Sequence, residues 1–198
     1  MMKRKYKLYG VAINDADYAV TKHKMINGKQ VKTWQCPYYS RWSGMLKRCY
    51  SEKITSKMKK YQDCTVCDDW LLFSNFRIWM LKQDWEGKEL DKDLVVLGNK
   101  VYSPETCVFI DSMTNTFTED CGASRGNYPI GASLNKALGK FESYCRNPFT
   151  KKMERFGLHD TAESAHLAWK KRKHELACEV ALLQSDRRVA KNLREMYK

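Results

Sequence analysis

Asp91-Lys92-Asp93, with Asn99 a short turn further on behind Gly98, brings together the side chains best suited to metal-assisted hydrolysis. Two carboxylates one residue apart lie on the same face of a regular strand. On such a face Asp91 and Asp93 could share Mg2+ or another divalent cation while Lys92 orients a nucleophile. If the strand is not regular through Lys92, the three residues are simply a charged turn. A second candidate is sulfur: Cys64-x-x-Cys67 has zinc-ligand spacing, and Cys49 and Cys107 could complete a four-sulfur site. The chain lacks a second close-spaced pair, and both Cys49 and Cys107 sit in apolar surroundings, so burial is the better explanation of these thiols. The histidines are His23, His159, His166 and His174, so none lies between residues 24 and 158.

Charge points to the partner. The chain of 198 residues carries a formal net charge of +13, and each Lys or Arg placed on a phosphate releases condensed counterion. The excess is segregated. Residues 1–60 hold 15 basic and 3 acidic side chains, residues 61–127 hold 6 and 12, and residues 128–198 hold 15 and 8. Two basic flanks therefore surround an acidic middle, as expected for nucleic-acid contacts on either side of a carboxylate-rich centre. An acidic protein partner would also suit a basic surface, and specificity for a duplex sequence separates the two readings. No apolar run approaches membrane-span length, and Met1–Tyr9 lacks the apolar core of a signal peptide. The expected location is the cytoplasm, where eight cysteines would be reduced.

The elements that must position these groups follow from periodicity. Tyr18 to Gln35 predicts a β-hairpin turning at Asn27-Gly28. Pro37 opens a helix with Trp42, Met45, Leu46, Cys49 and Tyr50 on its packed face and Arg41, Lys47 and Arg48 off it, available to phosphate. A second helix is predicted from Asp68-Asp69 onward, with Leu72, Phe76, Trp79 and Met80 on one face. Leu90 to Asn115 reads as strand, tight loop, strand and short helix. Thr118 to Asn127 has no periodicity and marks a linker. Beyond it, Tyr128–Asn135, Lys140–Asn147 and Lys151–Leu158 predict three short antiparallel strands. Thr161 caps a helix packed through Ala165, Ala168, Trp169, Leu176 and Ala177. A last basic helix follows Ser185, with Val189, Leu193 and Met196 on its packed side. The fold class is α+β, with domains at 1–117 and 128–198 joined by 118–127.

The set Trp42-x-x-Met45-x-x-Arg48-Cys49-Tyr50, Val66-Cys67-x-x-Trp70-x-x-Phe73-x-x-Phe76, Leu90-Asp91-Lys92 and Gly98-Asn99-x-x-Tyr102-x-Pro104-x-x-Cys107 resembles phage HNH homing endonucleases. The resemblance implies that Asp91 takes the metal-side position, Lys92 that of the general base, Asn99 that of the loop asparagine and Asn115 that of the last, helical residue. The family's base is a histidine, which this segment lacks. A lysine is cationic near neutral pH unless its pKa is strongly depressed, so Lys92 would grip phosphate more readily than take a proton. The module is thus a degenerate one. It is either a nickase or endonuclease that uses a divalent cation and other groups, or an inactive DNA-binding regulator.

Tyr128-Pro129-Ile130-Gly131, Gly139-Lys140-Phe141-x-x-x-x-Arg146 and Phe156-Gly157-x-x-x-Thr161-Ala162-Glu163-x-Ala165-x-x-Ala168-Trp169 look like the APETALA-type domain of plant transcription factors and phage endonucleases. Such domains lay a three-stranded sheet in the DNA major groove with a helix behind it. Alternation within the second strand turns Phe141, Ser143 and Cys145 to the helix and Lys140, Glu142, Tyr144 and Arg146 outward. Ser133 and Asn135 stand where the family commonly has arginines, which leaves Lys136 and Arg155 as the phosphate anchors. The resulting expectation is sequence-selective binding of double-stranded DNA.

Overall fold

The computed structural model describes residues 7–119 and 127–198. It divides into two compact units, Met1–Ile110 and Asp111–Lys198. Residues 120–126, most of the expected linker, lie outside the described residues.

The first unit opens with the short pair β1 (Lys7–Leu8) and β2 (Ala12–Ile13), followed by a longer hairpin of β3 (Thr21–Ile26) and β4 (Lys29–Gln35). Asn27 and Gly28 form its turn with φ of 49° and 73°, the left-handed pair that matches the twist of flanking strands. Helix α1 (Pro37–Tyr50) starts with proline in its first turn, where a missing N–H costs nothing. Its buried residues are Trp42, Met45, Leu46 and Cys49, four of the five residues in the expected stripe, and the fifth, Tyr50, is half-buried. The short helix α2 (Glu52–Thr55) follows, then strand β5 (Thr65–Val66).

The second predicted helix differs at its start. Asp68–Leu71 is a separate 3-10 turn, and helix α3 (Phe73–Met80) begins only after Leu72, which is extended and 37% exposed. The break seats Trp70 in the core, where its carbonyl accepts the Trp42 indole N–H at 2.7 Å. Trp70 also packs edge-on to Phe76 and against Trp79. Strands β6 (Glu89–Asp91), β7 (Val101–Tyr102) and β8 (Val108–Ile110) complete the unit. β5 pairs with β7 in parallel and β6 with β8 antiparallel. One core runs through α1, α3, Trp70, Tyr102 and Phe109.

The second unit begins with helix α4 (Ser112–Thr118), which the sequence placed with the first module. Asp111 caps it by accepting from the Thr114 backbone N–H at 2.8 Å. Gln184 and Lys173 hold it to the rest of the unit through the Thr114 hydroxyl and the Phe117 carbonyl. Strands β9 (Ala132–Asn135), β10 (Lys140–Arg146) and β11 (Met153–His159) form an antiparallel sheet in the order β11-β10-β9. Helix α5 (Ala162–Leu182) packs on it and pairs with α6 (Arg187–Glu195). Thr161 caps α5 as expected, accepting from Ser164 N–H.

Attachment of α5 to the sheet depends on small residues. The Ser143 hydroxyl donates to the Ala165 carbonyl at 2.7 Å, which requires close approach of strand and helix. Gly131, with φ of 81°, lies so near the Trp169 ring that an added Cβ would come within 2.0 Å of it. His166, stacked on Trp169, donates through Nδ1 to the Ile130 carbonyl at 2.7 Å. Strain and overlap act together at this position. Gly131→Ala is therefore expected to destabilise the protein by more than about 2 kcal/mol. Denaturant unfolding checks this against Gly139→Ala, also at positive φ but with open space around it: equal losses would contradict the packing account.

Candidate nucleic-acid interface

Asp91, Lys92, Asp93 and Asn99 do come together, though in a turn and not on a regular strand. Asp91 ends β6, and its Oδ1 accepts from the backbone N–H groups of Asp93 at 3.0 Å and Leu94 at 2.7 Å. The Asn99 amide donates to the carbonyls of Lys92 and Val101 at 2.7 and 2.6 Å. Lys92 is buried, and its ammonium donates to Asp93 Oδ2 and to the Asn99 carbonyl, both at 2.9 Å. A carboxylate and a carbonyl oxygen are what a hard divalent cation would seek. Here the lysine ammonium already fills that place, so these residues do not fit a metal ion. Asn115, the fifth expected member, lies on α4 in the second unit.

Burial, then the adjacent Asp93 carboxylate, pushes the Asp91 carboxyl up to about 6, against the two backbone N–H bonds and Lys92. A raised carboxyl holds its proton more tightly when folded, which favours a neutral group. The thiols behave alike. Burial pushes Cys49 and Cys107 up to about 12 and raises Cys64 and Cys67 as well, consistent with neutral apolar filling. Among the described residues no group of three or more His, Cys, Asp and Glu side chains could hold a metal ion.

Two of the three basic residues expected to leave α1 for phosphate are used internally. Arg41 donates to the Lys88 carbonyl at 2.8 Å, and Arg48 donates to the Tyr102 hydroxyl at 3.0 Å while lying over the Tyr61 and Tyr102 rings. Lys47 is exposed.

The sheet of the second unit presents a different surface. Residues opposite each other in a ladder share a face, and the pairs are Asn135 with Lys140, Ser133 and Leu158 with Glu142, Arg155 with Tyr144, and Met153 with Arg146. Ser143 and Cys145 are buried on the other side, beneath α5, and Phe141 is half-buried there. Leu158 lies on the outer face because of a bulge. Simple alternation from Met153 and Arg155 would turn it inward, but the register shifts between Glu142 and Tyr144, opposite Gly157 at φ of 94°. A glycine inside a strand is the sequence signal for such a bulge.

On this outer face Arg155 has 77% of its side chain exposed and Lys140 49%. Their ion pairs, Lys140 with Asp160 at 3.0 Å and Arg155 with Glu142 at 3.7 Å, are solvent-exposed and thus weak enough to yield to phosphate. Arg146 donates through Nε to the Lys151 carbonyl, and Lys136 is exposed in the β9-β10 turn. Asn135 is more committed: its amide binds Glu142 at 2.7 Å and its carbonyl oxygen caps the turn at Ala137 and Leu138. In the run Lys170-Lys171-Arg172-Lys173, two members are structural. Arg172 clasps Glu154 and Glu175, holding the Glu154 carboxyl below the usual range, and Lys173 donates to the Phe117 carbonyl over that residue's ring.

Comparison with protein-family models found no match, and comparisons with curated proteins and with solved structures found none either. No described helix is long and apolar enough to cross a membrane.

Asp91 supplies a prediction with a definite sign. An unfolded aspartate titrates near about 3.9, below the folded value, so stability falls as pH rises from about 4 to about 6 and is level above. Asp91→Asn keeps an oxygen for both N–H groups and removes the buried charge. It should stabilise the protein by about 1–3 kcal/mol at pH 8, with the gain shrinking as pH falls from about 6 and gone by about pH 4. Urea unfolding at the two pH values measures it; a loss of stability at pH 8 would contradict this assignment.

Proposed function

We propose that this chain binds double-stranded DNA sequence-selectively through the outer face of the β9-β10-β11 sheet, as a non-cleaving regulator of the homing-endonuclease type. The observation that carries the reading is that face itself: Lys140, Tyr144, Arg146 and Arg155 stand together on a three-stranded sheet, opposite the side on which α5 packs. Arg146 and Arg155 suit bidentate contacts to guanine edges or phosphate, Lys140 and Lys136 suit phosphate, and Ser133 and Tyr144 offer hydroxyls to either. The +7 balance of residues 128–198 supplies the long-range attraction.

The non-cleaving part of the reading is supported by Lys92. Its ammonium takes the oxygen ligands that a catalytic cation would need, and histidine is missing from residues 24–158. The Asp91–Asn99 segment then serves to close a loop in the first unit.

Duplex binding measured by fluorescence anisotropy should weaken about 10- to 100-fold at 150 mM salt in Lys140→Ala/Arg146→Ala/Arg155→Ala. The salt slope should fall by about 2–3 in magnitude. Undiminished binding would remove the sheet from the interface. Supercoiled DNA incubated with the wild type and Mg2+ or Mn2+ should stay unnicked; metal-dependent nicking lost in Asp91→Asn would restore the nuclease reading.

A further inference from the structure

The β3-β4 hairpin is built unlike the other strands of the first unit. Every residue from Lys22 to Trp34 is exposed, on both faces of the ribbon, including Met25 at 68%, Ile26 at 48%, Val31 at 41% and Trp34 at 42%. A two-stranded hairpin alone in water is marginally stable at best and normally lays one face on a core. This one is instead held at its base. Cys36 is buried, its N–H donates to the Val20 carbonyl at 2.8 Å, and α1 begins at the next residue. Arg77 lies over both Tyr18 and Tyr38, on either side of that base.

Charge identifies what the exposed ribbon meets. From Thr21 to Gln35 there are four lysines, one histidine and no carboxylate. The ladder pairs Lys22 with Trp34, Lys24 with Val31 and Ile26 with Lys29. One face therefore carries Lys22, Lys24 and Lys29 interleaved with Ile26, Val31 and Trp34, and Lys22 lies over the Trp34 ring at 5.4 Å. The opposite face pairs His23 with Lys32 and Met25 with Gln30. Six residues per strand reach about 20 Å, and a ribbon with its side chains is about 10 Å thick. The B-DNA major groove, about 12 Å wide, admits a two-stranded ribbon of that size.

We infer that the β3-β4 ribbon is a second DNA-contacting element, which enters the major groove and places Lys22, Lys24, Lys29 and Lys32 on the flanking phosphates. Its apolar side chains meet thymine methyl groups, and the exposed amides of Gln30 and Asn27 are able to read an adenine edge. The inference rests on the DNA-binding reading above but on residues of the other unit, so the two can fail separately. A-form RNA has a major groove too deep and narrow for side chains to read. The ribbon therefore distinguishes DNA from RNA duplexes.

The test compares wild type with Lys22→Ala/Lys24→Ala/Lys29→Ala/Lys32→Ala on a random-sequence 30-bp DNA duplex and an RNA duplex of the same length, from 50 to 200 mM salt. All four lysines are exposed, so thermal unfolding should be little changed. The variant should lose DNA affinity at least about 30-fold, with the salt slope reduced by about 3 in magnitude, and RNA binding should change much less. A photo-crosslinker at Val31 should give a DNA adduct, and one at exposed Leu182 should not. Unchanged DNA affinity and slope, with no adduct at Val31, would overturn the ribbon's role and leave an acidic protein as its occupant. An equal loss on RNA and DNA would overturn the groove geometry. Absence of duplex binding by the wild type would overturn the DNA reading itself.

Discussion

The contact of Gly131 with the Trp169 ring fixes how the second unit divides its surfaces. Because residue 131 has no side chain, α5 settles directly on one face of a three-stranded sheet. Ser143 then reaches the Ala165 carbonyl, and Arg172 joins the helix to Glu154 of β11. Among the described residues, α5 covers the face that carries Ser143 and Cys145. The other face keeps Lys140, Tyr144, Arg146 and Arg155 exposed, and the ion pairs of Lys140 and Arg155 there are solvent-exposed and weak.

The first unit handles charge in the opposite way. Lys92, Arg41 and Arg48 are drawn inward and satisfied by carbonyls, a carboxylate and a tyrosine hydroxyl. A buried ammonium held by Asp93 and Asn99 closes the 91–101 loop. What this unit leaves at the surface is the β3-β4 ribbon, whose Lys22, Lys24 and Lys29 share an exposed face with Ile26, Val31 and Trp34. Within the basic flanks, Arg41, Arg48, Arg172 and Lys173 thus support structure, while Lys22, Lys24, Lys29, Lys32, Lys140 and Arg155 remain exposed.

Much of the architecture was legible because it follows from local rules. Asn27-Gly28, Pro37 and Thr161 mark a turn and two helix starts where the structure has them, and alternation in Lys140–Arg146 separates buried from exposed residues. What was not legible depends on partners distant in sequence. Lys173 is bound by Phe117, 56 residues away, and Arg48 by Tyr102, 54 away, so neither is distinguishable in sequence from a phosphate-binding residue. Alternation in the β3-β4 hairpin suggests a packed face, yet the apolar residues stand opposite lysines. The Gly157 bulge reverses Leu158, which a regular strand would have buried. For Asp91-Lys92-Asp93 the sequence allowed either a shared strand face or a charged turn; the backbone turns at Lys92 and Asp91 caps that turn.

Selection from a pool of randomised DNA duplexes at 150 mM salt addresses sequence-selective binding most directly. This account predicts recovery of a defined motif bound at least about 1,000-fold more tightly than random duplex. Selected duplexes bound no more tightly than random ones would contradict it.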